Sequence, residues 1–502
     1  MRRLVAACVA LAALSLLLPS APSYDPWAWI AWGREIFELD LNTRTGPSWK
    51  PLPVLVTTLM APIDDASPWV WLVIARAGGM LALVMAARVS RLLVGGPAGW
   101  VAGAIAALAL LTSADFGRTV AMGYSEGLLV ALLLGAVEAH LRDRRGVALW
   151  LVFAAALLRP ETWPFVGAYG LYLWVREPAL RVRLLALAAA VPALWFLPEL
   201  WGSGEPLRAS SRAQEAVGNA PALAEEPARE LLRRARWALI APVEVGVLLA
   251  VAGAAVAVAW ARGRDHEPNA RPVLVLAATA AAWIALVALM TERGYAGNER
   301  YLMAPVALAC VLSGVGWARA GQLVGRVATG GPRVRAAVPV AATLVLAAIA
   351  TAAASTAARA RADELDRDLA EIDYQAQLSH DLDRVIARAG GPERLRSCGR
   401  VVTGDYHVPA VAWRLRLHGV EVGVKPEPTG TVIRAPAVAT WPSAPRAPRS
   451  YRTVARAGRW EVLMSCGPVS GARARARPPR TTGRASGAAA RGRVSGTRRR
   501  SP

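Results

Sequence analysis

Eleven stretches of this 502-residue chain are apolar enough to lie inside a lipid bilayer: 4–20, 68–87, 97–112, 124–141, 147–158, 163–175, 184–200, 237–260, 272–290, 301–318 and 336–355. No other feature constrains the fold as strongly. A hydrocarbon core about 30 Å thick takes a helix of roughly 20 apolar residues. At that depth every backbone N–H and C=O must be paired within the protein, which leaves helices and closed barrels. The chain is 55% hydrophobic and 19% charged, against roughly 25% charged in soluble domains, so a string of soluble domains is excluded. The pair 147–158 and 163–175 is short and separated by Arg159-Pro160-Glu161. It reads as two thin spans or as one broken, partly re-entrant pair.

The net charge of +22 suggests nucleic acid or anionic lipid until the charges are placed. With the N-terminus inside, the inside segments carry 17 Arg against Asp143, Glu177, Asp265 and Glu267. That is the positive-inside pattern. Residues 471–502 add ten Arg and no acid, and read as a disordered tail. The charge is therefore an orientation signal plus a tail; the bilayer is the expected partner and nucleic acid is not. Residues 1–23 read as a retained span, because retention makes the loop charges alternate correctly. The extracytoplasmic segments are then 21–67, 113–123, 202–236, 291–300 and everything after 356.

Three units follow: a transmembrane unit (1–355), an extracytoplasmic helix with a small α/β domain (356–470), and the tail. In the second unit, helical spacing over 358–389 precedes short β-like runs at 400–403, 420–424, 431–434, 451–454 and 460–464, with a helical stretch over 408–418. Cys398 and Cys466 bracket this domain and are expected to form a disulfide in an oxidising compartment. No zinc-type spacing joins the five histidines and four cysteines; no cofactor is predicted, and a divalent metal requirement is left open.

Chemistry is expected where ionisable groups meet the outer ends of the spans, since such groups face a cavity or pair with one another. The first outside loop begins Ser23-Tyr24-Asp25-Pro26-Trp27-Ala28-Trp29. Asp25 reads either as the cap of an interfacial helix bearing Trp27, Trp29 and Trp32, or as an acid/base group. Lys50, in Ser48-Trp49-Lys50-Pro51-Leu52-Pro53, is the sole lysine among spans and loops. It reads as a phosphate-holding cation or as a snorkelling side chain. Asp115, Glu126 in Gly123-Tyr124-Ser125-Glu126-Gly127, Arg159 and Glu161, and Glu299-Arg300-Tyr301 are further groups at span ends. Arg76 lies inside a span and needs a partner. Cations would stabilise a departing phosphate and a carboxylate would take a hydroxyl proton.

The order of these motifs over about 1–320 resembles the GT-C superfamily of polytopic glycosyltransferases, especially bacterial relatives of protein mannosyltransferases and aminoarabinose transferases. The motifs are an Asp after the first span, Lys-Pro-Leu-Pro before the second, Ser-Glu opening the fourth, Arg-Pro-Glu, and Arg-Tyr-Leu-Met-Ala-Pro opening a late span. The resemblance implies a GT-C-like helical membrane fold, to which the apolar runs give about eleven spans, and inverting transfer from a polyprenyl-phosphate sugar; the Arg-rich, Ala- and Val-rich composition fits a high-GC bacterium and so a cell-envelope acceptor. It casts Asp25 as catalytic base, with Lys50 and Arg300 at the donor phosphate and Tyr301 beside them. Two departures stand: Leu52 replaces the second proline of the family's lysine motif, and Pro26 rather than a second acid follows Asp25. Glu35, Glu38 and Asp40 therefore stay as alternative acids. A transporter or flippase of a lipid-linked or small polar substrate, or a non-catalytic envelope-assembly protein, would share the spans; the first lacks the internal repeat it calls for.

Overall fold

The structure is a computed structural model and describes residues 1–216, 218–260, 269–327, 331–436 and 444–466. α1 (Arg2–Leu14) ends in a single 3-10 turn, so the expected span 4–20 is helical over little more than its first half before the chain extends at Leu18. α2 (Tyr24–Phe37) follows in the first loop. α3 (Pro51–Met60) starts on its proline and leads through the kinked turn Ala61–Ala66 into α4 (Ser67–Val94). Next come α5 (Ala98–Leu111), α6 (Phe116–Ala121), α7 (Glu126–Leu141), α8 (Arg145–Ala156), α9 (Trp163–Arg176) and α10 (Arg181–Ser203). Two helices lie in the loop that follows, α11 (Arg208–Gln214) and the strongly amphipathic α12 (Pro227–Trp237). α13 (Ala241–Trp260), α14 (Ala270–Glu292), α15 (Met303–Gly325) and α16 (Pro332–Ala353) complete the apolar part.

Six helical stretches among the described residues are long and apolar enough to cross a membrane: Pro51–Val94, Pro178–Ser203, Ala241–Trp260, Ala270–Glu292, Glu299–Gly325 and Arg333–Ala353. The chain is a multi-pass membrane protein. The expected spans 4–20, 97–112, 124–141, 147–158 and 163–175 fall on helices of 13, 14, 16, 12 and 14 residues.

α15 is the axis of the bundle and is buried along nearly its whole length, while α13, α14 and α16 turn residues such as Leu248, Val275 and Ile349 outward. In lipid, apolar burial does not drive helices together, so close backbone approach must. Gly316 of α15 lies so near Gly246 of α13 that a Cβ there would meet the Gly246 carbonyl at 1.8 Å. Gly127 of α7 meets Gly79 of α4 in the same way, at 2.8 Å. Arg76, buried on α4, finds its partners in backbone: it donates to the carbonyls of Ala121 and Ser15 and to the Ser15 hydroxyl.

The expectation of an interfacial tryptophan helix is corrected. Every residue of α2 from Asp25 to Glu35 is buried, and Trp27, Trp29 and Trp32 pack with Trp49, Trp71, Trp195 and Trp413 into one core. Protein, not lipid headgroup, covers them. The helix also begins two residues earlier than read: Ser23 is the cap and Asp25 lies in the first turn.

After α16 the chain forms α17 (Ser355–Arg388) and α18 (Gly391–Ser397). Then follow β1 (Val401–Val402), α19 (Val408–Leu415), β2 (Val422–Gly423), β3 (Gly430–Arg434), β4 (Arg452–Ala457) and β5 (Trp460–Ser465). The sheet order is β2-β1-β3-β5-β4, with β1 parallel to both neighbours and the β3/β5 and β5/β4 pairs antiparallel. Its strands pack on α17, and Trp460 donates its indole N–H to the Leu378 carbonyl at 2.8 Å. Cys398 and Cys466 are disulfide-bonded, with Cα atoms 4.6 Å apart. The expected tail, 471–502, lies outside the described residues.

Candidate active site

Two prolines shape the site. Lys50 precedes Pro51 and Arg159 precedes Pro160, and a residue before proline is driven out of the helical region. Both are extended accordingly, with φ/ψ of −137°/109° and −152°/130°. Each cation therefore leaves the chain just before a helix begins and points sideways across the end of the bundle. The acids obey a complementary rule. Asp25, Glu126 and Glu161 each lie in the first turn of a helix or 3-10 turn, where unpaired N–H groups favour a carboxylate.

These groups converge. Lys50 Nζ donates to Ser125 Oγ at 3.1 Å and to Glu126 Oε1 at 3.2 Å. Arg159 Nη1 donates to the same Glu126 oxygen at 2.7 Å, and its Nη2 to Glu161 Oε1 at 3.2 Å. Arg300 Nη1 donates to Asp25 Oδ2 at 2.6 Å. Aromatic rings back all three cations: Lys50 lies 4.9 Å from the Trp29 ring centre, Arg159 4.1 Å from Tyr301, and Arg300 5.0 Å from Tyr124. Glu126 is fully buried, and Asp25, Lys50, Arg159 and Glu161 are each at most 7% exposed. Glu126 Oε2, Glu161 Oε2 and Arg159 Nε are buried with no hydrogen-bond partner. Three cations thus face three carboxylates, Arg300 at the open edge with its side chain 24% exposed and the others buried, with buried polar atoms still to be satisfied.

Lys50 is therefore not a snorkelling lysine, and Arg159 and Glu161 pair within a larger network. Asp115 and Glu35 are elsewhere. Asp115 pairs with Arg118, which also reaches Asp368 of α17 at 3.3 Å. Glu35 faces the C-terminal domain, where its Oε1 lies 3.1 Å from His418 Nδ1, out of line for a hydrogen bond. His418 Nε2 meets Asp40 at 3.1 Å. Burial pushes the Glu35 carboxyl up to about 7. For His418 burial works downward, but Glu35 and Asp40 outweigh it and raise the imidazole above its ordinary value. Glu38 is exposed. Among the described residues, no group of three or more His, Cys, Asp and Glu could hold a metal ion.

Other polar residues tie the neighbouring elements together, and of these Glu199 was not singled out from the sequence. Ser23, whose hydroxyl would ordinarily cap α2, instead bonds Tyr124 Oη at 2.7 Å and Tyr406 Oη at 3.1 Å. Glu199, fully buried, is bonded by Arg208 and Thr43 and braces the first loop against α10. Glu299, next to Arg300, pairs with Arg234 and opens on a cavity of about 380 Å³ that also includes Asp115, Leu302 and Val306. Leu302 and Val306 also line an apolar cavity of about 420 Å³ between α13, α14 and α15.

No protein-family model and no curated protein matches the sequence. Solved structures do match the fold. The crystal structure of ArnT from Cupriavidus metallidurans bound to undecaprenyl phosphate is similar with a TM-score of 0.52 at 16% identity, covering 93% of this chain and 98% of that one. ArnT in the apo state is similar at 0.48 and 15% identity over the same shares. The Archaeoglobus fulgidus oligosaccharyltransferase, tethered with an acceptor peptide, is similar at 0.48 and 11% identity over 83% of this chain and 63% of that one. Identities this low speak for architecture alone: the chain shares the fold of ArnT over nearly the whole of both chains.

Proposed function

We propose that this chain transfers a sugar from a polyprenyl-phosphate donor to a hydroxyl of a cell-envelope acceptor on the extracytoplasmic side, with inversion at the anomeric carbon. The observation that carries the reading is the cluster of Asp25, Lys50, Glu126, Arg159, Glu161 and Arg300 at one end of a helical bundle, all but Arg300 buried. Ionisable groups gathered at the ends of membrane helices pair with one another or face a cavity that serves function, and here six converge. The ArnT structure of the same fold is described as bound to undecaprenyl phosphate.

Asp25 accepts the acceptor's hydroxyl proton as that oxygen bonds to the anomeric carbon. The bond from that carbon to the phosphate oxygen breaks, and its electron pair leaves with the polyprenyl phosphate. The departing phosphate gains negative charge, and Lys50 and Arg300 are placed to stabilise it. The Arg300–Asp25 pair couples the two events. When Asp25 takes up a proton its hold on Arg300 weakens, and the guanidinium becomes available to the phosphate at that moment.

Transfer from a labelled polyprenyl-phosphate sugar in membranes tests this. Asp25→Asn is expected to lose about 10²–10⁴-fold in kcat, and Lys50→Ala to weaken both donor KM and kcat. Full transfer by Asp25→Asn removes Asp25 as base. Movement of the labelled lipid across the bilayer without transfer would establish a flippase instead.

A further inference from the structure

The C-terminal domain docks on the same helix that carries Asp25. Arg34 of α2 donates to the carbonyls of Trp413 at 3.1 Å and Leu417 at 3.4 Å, and its guanidinium lies 4.8 Å from the Trp413 ring centre. In return Arg414 of α19 lies 4.6 Å from the Trp27 ring centre. Tyr406, in the turn leading into α19, stacks on Tyr24 with ring centres 6.1 Å apart. Its hydroxyl reaches Ser23, two residues before Asp25. From there the line continues: Ser23 Oγ to Tyr124 Oη, the Tyr124 ring to Arg300, and Arg300 to Asp25. The Ser23 amide is itself held by the Met122 carbonyl at 3.0 Å, so the serine is a fixed post between the domain and the turn that joins α6 to α7.

We propose that Tyr406 is a positioning residue for sugar transfer: its hydroxyl, through Ser23 and Tyr124, holds the ring on which Arg300 rests and thereby sets the Arg300–Asp25 pair. This rests on the reading of Asp25 as base. It makes the C-terminal domain part of the catalytic apparatus rather than a cap over it. A tyrosine fits the task because its hydroxyl bonds Ser23 while its ring stacks on Tyr24; phenylalanine keeps the stack and loses the bond.

The test compares Tyr406→Phe, Tyr124→Phe and the double variant in purified full-length protein. Tyr406→Phe is expected to lower kcat about tenfold at unchanged donor KM, with a Tm lowered only by the worth of one hydrogen bond. The double variant should lose no more than the worse single variant, since both act along one line. A second readout needs no donor: carbodiimide labelling of Asp25, followed by mass spectrometry, should rise several-fold in Tyr406→Phe as the Arg300 pair loosens. Unchanged kcat, unchanged labelling, or losses that multiply in the double variant each overturn the proposal. If wild type transfers sugar from no polyprenyl donor, the proposed function fails, and the labelling result alone decides whether Tyr406 positions the pair.

Discussion

Two regions of this protein are built from arginine and glutamate and behave oppositely. On α12, Arg229 pairs with Glu226 and Arg233 with Glu230 one helical turn apart, and the Arg229 and Glu226 side chains are 82% and 62% exposed. At the site, Glu126 is joined to Lys50 and Arg159, 76 and 33 residues away in sequence, and is shut off from solvent. Pairs of the first kind form whenever the helix does, keep their water, and contribute little. Pairs of the second kind exist only in the finished fold, where loss of one member strands the other dry. The same residue types therefore decorate a surface in one place and define a pocket in the other.

The sharpest way to break that contrast is Glu126→Ala. It leaves Lys50 and Arg159 without their shared carboxylate, and should cost about 3–5 kcal/mol of stability and abolish transfer. A wild-type Tm in detergent for this variant would mean the cluster is not a closed network. Glu35→Gln should have a smaller, pH-dependent effect at the domain interface. Because the folded-state value of about 7 lies above the ordinary 4.5, stability from Glu35 is fully present below pH 4.5 and is lost as pH rises through 7. His418, also raised, adds in the same direction. The swing from Glu35 alone is about 3 kcal/mol. Wild-type Tm should fall between pH 5 and 8, and Glu35→Gln should flatten the slope; equal slopes would refute the buried-carboxylate account. Least of all, Arg229→Ala should leave both Tm and transfer unchanged, and a measurable loss of either would show that α12 is more than a solvated face.

The bundle and most of the cluster were legible because apolar runs are long, and because Lys50, Arg159 and Arg300 stand beside helix starts that prolines or turns announce. Asp25 and Glu126 could be found by the same rule. What the sequence hid was partnership across distance. Glu35 and Asp40 share the first loop with Asp25, and no spacing rule reveals that His418, almost 380 residues later, claims them. Tyr124 stood in a motif that drew attention to its neighbour Glu126. Tyr406 carried no signal, because its role depends on how a separate domain seats. The tryptophans of α2 misled for a related reason: a membrane interface and a protein-covered pocket both favour an amphipathic ring, and composition does not distinguish them.

The long reach of these pairs has a consequence for how the chain is made. Asp25 leaves the ribosome 275 residues before Arg300, and Arg34 379 residues before Trp413. An unpaired charge is costly to bury, so α2 has to wait in water while the helices that will enclose it are synthesised and inserted. The first loop to be translated is thus among the last parts to settle, and a nascent chain stopped short of residue 413 has its membrane helices in hand but no finished pocket.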